Sequence, residues 1–307
     1  MEQISVNHVT KDYGHGRGIF DVSFSIQKGE VFGFLGPNGA GKSTAIRHIM
    51  GFSKPDKGTI MVLGQDTWKH YDKILGNVGY LPGEIALPAG LTGYQFIDMM
   101  KQLKGMKDDT FLKYLMKTFE LDPSGETKRM SLGVKRKLAV VVAFMNDPDI
   151  LILDEPTSGL DPVMQQVFIE FIKNEKKRGK TILLSSHMFG EVDATCDRIA
   201  IIKEGKIVTT FDAAELKHNT NKNYAITFQT GQSYHAFFRE YASSTDFRII
   251  DTLPDERKMI VNIEDANINC LTSALAKYKI QEFHHMRKTL EEHFMSYYKE
   301  DTQFGGV

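Results

Sequence analysis

An α/β core built on a mostly parallel sheet, followed by a small α+β module, is the fold class that the sequence predicts. Three observations carry it. Val31–Leu35, Ile150–Leu153, Thr181–Leu184 and Ile199–Ile202 are apolar runs without polar alternation, the mark of strands buried on both faces under helices. Between such runs apolar residues recur with helical spacing, as in Val163, Val167, Phe168, Phe171 and Ile172. Beyond residue 222 the pattern changes to strand, helix, strand, strand, helix, strand.

Taken in order, Ile4–Val9 and Ile19–Ile26 flank turn residues Gly14–Gly18 and read as an antiparallel ribbon at the edge of the core. Val31–Leu35 leads into a glycine-rich loop, and a helix follows from about Lys42. From Thr92 to Met145 the spacing is helical with no good strand, so residues 92–146 read as a helical insertion. A helix opens at Pro162, where a first-turn proline belongs, with Asp161 as its N-cap and Lys176-Lys177-Arg178-Gly179 at its close. The polar stretch after Lys217 ends this domain, which gives a core over 1–217, a linker over 218–222 and a module over 223–307. Within the module, Tyr224–Phe228, Phe247–Asp251, Lys258–Ile263 and Ile280–Phe283 read as strands, with helices at Ser233–Tyr241 and Ala266–Tyr278. That β-α-β-β-α-β order is the ferredoxin-like arrangement. A last amphipathic helix is expected over Thr289–Tyr298.

Length and composition agree. The 307 residues suit about two domains, and 41% hydrophobic with 25% charged residues is ordinary globular composition. Thirty-eight basic against 39 acidic residues leave a net charge of -1, which excludes binding to nucleic acid or a membrane surface by bulk charge. Cys196 and Cys270 are the only cysteines, so a disulfide framework and a Cys-rich zinc site are excluded and a reducing compartment is expected. The longest apolar run, Leu138–Met145, falls well short of the roughly 20 residues that span a bilayer. Met1–Tyr13 has neither a basic start nor an apolar core, so no signal peptide is expected. A membrane role would have to come through a partner.

The segment Gly36-Pro37-Asn38-Gly39-Ala40-Gly41-Lys42-Ser43-Thr44 satisfies G-x-x-x-x-G-K-[ST] between a strand and a helix. Its glycines let backbone amides approach a phosphate, Lys42 brings a flexible point charge to the β- and γ-phosphates, and Ser43 offers a hydroxyl to Mg²⁺. This is the phosphate loop of a P-loop NTPase core, and an ATP or GTP site is expected. The strand Ile150–Leu153 ends in Asp154-Glu155, at the carboxyl edge where such sheets place ligands. Asp154 is expected on Mg²⁺ and Glu155 on the water that attacks the γ-phosphate.

Together with further motifs, the first two thirds of the chain resemble the nucleotide-binding subunit of an ABC transporter. Ser158-Gly159-Leu160-Asp161 resembles the D-loop, and His187 stands at the switch-histidine position after the strand Thr181–Ser185. Tyr13 matches the aromatic that stacks on adenine. Met130-Ser131-Leu132-Gly133-Val134 resembles the signature loop, keeping Ser131 and Gly133 while Leu132 and Val134 depart from L-S-G-G-Q. Such departures resemble the branch paired with ABC-2-type export permeases. Lys128, Arg129, Lys135, Arg136 and Lys137 surround that loop with positive charge, and an arriving anion is expected to offset it. In Val78-Gly79-Tyr80-Leu81-Pro82-Gly83-Glu84, Gly83 replaces the usual glutamine, and Glu84 is expected to take over its cation contact.

The resemblance implies two subunits paired head to tail, each signature loop closing on the partner's ATP. It also implies a polytopic membrane permease docked near Gly83–Gln95 and the insertion, a cytoplasmic place on the inner face of the membrane, and no nucleic-acid partner. Homodimer and heterodimer both stay open. A soluble ABC-type ATPase acting on nucleic acid or ribosomes is the alternative, although one phosphate loop and a neutral charge speak against it. The module is expected to support dimer contacts or to act as a small-molecule sensor; adjacent His284 and His285 would face opposite ways on a strand, poor geometry for a metal.

Overall fold

The alternation near the N-terminus folds into a ribbon in which β1 (Glu2–Asp12) pairs antiparallel with β2 (Gly18–Gln27). Ile4, Val6, Val9, Val22 and Ile26 point inward. The structure is a computed structural model that describes residues 1–217, 221–286 and 289–299. These divide into two compact units, Met1–Ala213 and Ala214–Val307.

In the first unit β3 (Val31–Leu35) is buried at every position and runs into α1 (Lys42–Ile49). β4 (Lys57–Val62) and β5 (Gln65–Asp66) extend the ribbon, giving the order β2-β1-β4-β5. α2 (Tyr71–Leu75) and β6 (Val78–Leu81) return the chain to the core. The helical insertion is α3 (Gly93–Leu103), α4 (Thr110–Thr118) and α5 (Leu132–Phe144). Thr92 and Gln95 form a reciprocal capping box at its start, which satisfies two orphan donors of the first turn. Then follow β7 (Ile150–Asp154), α6 (Pro162–Lys177), β8 (Thr181–Ser186), α7 (Phe189–Thr195), β9 (Arg198–Lys203) and β10 (Lys206–Asp212).

The central sheet has the order β10-β9-β3-β8-β7-β6. Every pairing in it is parallel except that of β10 with β9. The mostly parallel core is the expected one and the expected antiparallel ribbon is β1–β2, whereas the antiparallel edge strand β10 was not foreseen. This order sets the carboxyl ends of β3, β8 and β7 side by side, which is what assembles a site from three distant stretches of chain. Between the ribbon and this sheet Phe24 stacks on Phe32 at 5.1 Å, and each such buried ring stabilises the unit by about 2–3 kcal/mol.

β4 and β6 carry no strand signature in the sequence. β6 is short and holds Gly79, whose Cβ would lie 2.4 Å from the Ala143 carbonyl of α5. The glycine is there for a close approach of strand and helix, which local propensity cannot foresee.

In the second unit α8 (Ala213–Lys217) precedes β11 (Asn221–Phe228), α9 (Gly231–Tyr241), β12 (Arg248–Leu253) and β13 (Lys258–Glu264). α10 (Ile268–Leu275), β14 (Ile280–Met286) and α11 (Leu290–Lys299) complete it. The sheet order β12-β13-β11-β14 is antiparallel throughout, the ferredoxin-like topology. Phe228, Phe237, Phe247 and Leu271 lie in its core.

Three boundaries differ from the sequence expectation. Asn221 and Lys222, expected in the linker, open β11 and pair with Glu264 and Ile263; residues 218–220 lie outside the described residues. The helix expected over Ala266–Tyr278 begins as a 3₁₀ turn at Asp265–Asn267 and ends at Leu275. Lys277 and Tyr278 leave it to meet Glu240, the tyrosine hydroxyl donating at 2.6 Å. His284 and His285 pair with Ala225 and Tyr224 in turn, on opposite faces as expected. Among the described residues no cluster of His, Cys, Asp or Glu could hold a metal by itself, and no helix is long and apolar enough to cross a membrane.

Candidate nucleotide site

The loop after β3 presents backbone to an anion. Gly39 and Gly41 have φ of 82° and 109°, values that side-chain-bearing residues rarely adopt. Gly41 is also hemmed in: a Cβ there would stand 3.2 Å from the Gly18 carbonyl and 3.3 Å from Gly205 Cα. The Gly205 amide donates to the Ala40 carbonyl at 2.9 Å, so the loop is clasped by the ribbon and the β9–β10 turn. Gly41 caps α1 without a side-chain hydrogen bond, and the first turn holds no acid. The amides of Lys42, Ser43 and Thr44 and the positive helix end therefore await an anionic group.

Lys42 is buried, and its Nζ donates to the Gly36 and Pro37 carbonyls at 2.6 and 3.2 Å. The same Nζ forms an ion pair with Glu155 Oε1 at 3.0 Å. The other carboxylate oxygen of Glu155 lies 2.6 Å from His187 Nδ1. Glu155 has φ of 49°, a left-handed conformation that costs a glutamate about 1–3 kcal/mol. Its amide donates to the Ser185 carbonyl at 3.0 Å, which anchors the turn that aims the carboxylate. Asp154, buried at the end of β7, accepts from the Ser185 hydroxyl at 2.5 Å. Ser43, Glu84, Asp154, Glu155 and His187 line one cavity of about 450 Å³. Pro37, Asn38, Gly39, Gly41, Lys42, Ser43 and Thr44 line a smaller adjoining one of about 150 Å³ with Glu155.

Against this geometry the ABC transporter family matches residues 19–158. The "Uncharacterized ABC transporter ATP-binding protein YhcH" of Bacillus subtilis is 32% identical over 95% of this chain and 94% of its own length. The chain belongs to the ABC transporter ATP-binding proteins. The "Linearmycin resistance ATP-binding protein LnrL" of Bacillus subtilis is 36% identical over 67% of this chain and 68% of its own. The solved "Structure of ATP binding subunit of ABC transporter" superimposes with a TM-score of 0.65 at 28% identity, covering 70% of this chain and 92% of that one. This ABC protein is thus an ATPase whose hydrolysis powers transport.

Six expected residues of the ABC site line neither cavity: Gly36 and Ala40 within the loop, and Tyr13, Ser131, Gly133 and Asp161 outside it. Tyr13 is exposed on the ribbon with Lys11 Nζ 5.7 Å from its ring centroid. Ser131 is exposed and caps α5, accepting from the Val134 amide at 3.3 Å. Gly133 lies against the Gly159 carbonyl, 3.2 Å from where its Cβ would be. Asp161 caps α6, as its place before Pro162 suggested, accepting from the Met164 amide at 2.9 Å.

The basic surround of the signature loop needs correction at one member. Arg136 is buried, and its guanidinium donates to the carbonyls of Ser158, Pro82 and Gly83. It is part of the protein interior and no part of an anion-facing patch. Gly83 itself leaves little space, since a Cβ would stand 3.0 Å from Asp154 Oδ2.

Two residues of the site escape sequence reasoning. Tyr80 lines the larger cavity, and burial, helped by the Asp154 charge, pushes its hydroxyl up to about 12. Glu191, in the first turn of α7, is buried and accepts from the Ser186 hydroxyl at 2.6 Å. Burial above all pushes its carboxyl up to about 7, and the nearby Glu155 charge adds to the effect. An acid four residues after a histidine reads as an ordinary helix-start residue; only the fold shows it buried against Ser186.

Proposed function

We propose that this ATPase energises a polytopic export permease, working as a pair of subunits bound head to tail. One observation carries the pairing. Lys42 and His187 converge on Glu155, while Ser131, Gly133 and Asp161 of the same chain line neither cavity. A head-to-tail partner would bring its own copies of those residues to the open side of the cavity. Export is supported by a relative named for it, the "Nod factor export ATP-binding protein I" of Burkholderia lata, 35% identical over 66% of this chain and 68% of its own length. The protein would then sit on the cytoplasmic face of the membrane, held by the permease near Gly83–Gln95, with no nucleic-acid partner. Residues 223–307 would support the subunit contact.

The donors present suit Mg²⁺. Ser43, Asp154 and Glu84 offer oxygen alone and line one cavity, as a hard cation requires. Bound there, the ion would neutralise charge on the β- and γ-phosphates. Lys42 exchanges Glu155 for a phosphate oxygen when ATP enters. Glu155, still held by His187, then accepts the proton of the attacking water, and the strained turn at Glu155 keeps that carboxylate from swinging away. Tyr13 stacks on adenine. Replacing Glu155 with Gln removes the proton acceptor and keeps the hydrogen-bonding shape. Glu155→Gln should bind ATP with wild-type affinity, lose about 10²–10⁴-fold in turnover, and collect as a dimer in sedimentation. Wild-type turnover would remove Glu155 from this role, and a monomer at saturating ATP would remove the pairing.

A further inference from the structure

The Arg136 guanidinium reaches two different loops at once. Nε donates to the Ser158 carbonyl at 2.8 Å, while the two terminal nitrogens donate to Pro82 and Gly83 at 3.0 and 2.6 Å. Arg136 is 2% exposed. Each loop belongs to the chemistry of the site. Gly83 presses on the Asp154 carboxylate, as its blocked Cβ position shows. Ser158 closes the turn after Glu155, its amide donating to the Glu155 carbonyl at 3.1 Å. The stem of Arg136 belongs to α5, whose exposed N-cap is Ser131. At that same helix start the D-loop is in contact a second time, because a Cβ on Gly159 would stand 2.9 Å from Leu132 Cγ.

We propose that Arg136 is a positioning residue that couples the two ATP sites of the paired subunits. The proposal rests on the head-to-tail pairing above. A partner's nucleotide meeting Ser131 and Gly133 shifts the start of α5, and the guanidinium carries that shift to the loops that hold Asp154 and Glu155 of its own chain. The physical reason is the fork. A planar guanidinium has five donors in fixed geometry and stays charged in the interior. Stripping a buried cation of its carbonyl partners is costly, so helix and loops move together. An ammonium at the same place is a point charge on a flexible stem and cannot hold both loops in one plane. The other basic residues of the run do not compete for this role: Lys128 and Arg129 are exposed, and Arg129 pairs with Glu126.

The test uses the full chain, with steady-state ATPase rates against ATP concentration, nucleotide affinity from a fluorescent ATP analogue, and thermal melting. Wild type should be cooperative, with a Hill coefficient approaching about two for a two-site assembly. Arg136→Lys should drop towards about one, lose about ten-fold in kcat, and keep KM and nucleotide affinity within about three-fold. Arg136→Met should show the same split; should it not fold, Arg136→Lys carries the test. A merely structural arginine would lower the folded fraction and leave the Hill coefficient of the folded molecules alone. Arg136→Lys as cooperative as wild type, or unable to fold, overturns the proposal. A wild type without cooperativity defeats the pairing itself, and the proposal falls with it.

Discussion

The two units use their strands in opposite ways. β3, β7 and β8 are buried at every position, whereas β12 and β14 have no fully buried position and β13 buries only alternate ones. In the first unit both faces are covered, so the side chains along each strand can only pack and the polar groups collect at the strand ends. In the second, one face remains open and polar residues spread along the strands. The functional groups of the first unit therefore gather where parallel strands end together, whereas in the second unit Asn221, Asp246, Arg248, Asn262, Glu264 and Asn267 line a cavity of about 320 Å³ at the sheet edge.

Substitutions that sharpen this contrast differ in scale. Among effects on nucleotide binding Lys42→Ala should have the largest, a loss of about 3 kcal/mol or some hundred-fold in ATP affinity measured by calorimetry, because it removes a buried charge from the phosphate loop. Unchanged affinity would deny the strand-end site its main cation. Leu183→Ala, at a residue with no exposure, should destabilise the first unit by about 2–5 kcal/mol in denaturant unfolding.

Glu191 supplies a pH test with a defined sign. Its carboxyl is raised from 4.5 to about 7 in the fold, so the native state holds a proton that the unfolded chain has released. Stability then falls as pH rises between those two values and flattens above the higher one, by up to about 3 kcal/mol. Glu191→Gln cannot ionise. Its stability relative to wild type should improve from pH 4.5 to about 7 and level off above that, read as the difference in unfolding free energy, and a difference independent of pH would contradict the raised carboxyl. At the small end, Ile250→Ala on the open strand β12, where Ile250 is 52% exposed, should stay within about 0.5 kcal/mol.

How much of this was legible follows from how local each signal is. The phosphate loop and the acid pair each follow an uninterrupted apolar strand and were readable from that context, whereas His187 was placed by the resemblance to an ABC nucleotide-binding subunit. The ferredoxin-like order was readable because its strands alternate and its turns are polar. Arg136 was not readable. In a run of basic residues nothing tells which one the helix phase turns inward, and its partners are 22 and 54 residues away. Glu191 hides for the same reason, since its burial depends on how α7 lies under the end of β8. The end of α10 was misplaced because side chains beyond Leu275 find Glu240 across the unit, a gain that helix propensity does not contain.

The tight meeting of Gly18, Gly41 and Gly205 has a consequence for how nucleotide is taken up. Because backbone from three separate turns locks the phosphate loop, its amides are already aimed before any ligand arrives, and little chain freedom remains to be lost on association. A single methyl at Gly205, far along the chain and carrying no chemistry of its own, would wedge against the Gly18 carbonyl and weaken ATP capture as surely as damage to a contacting residue.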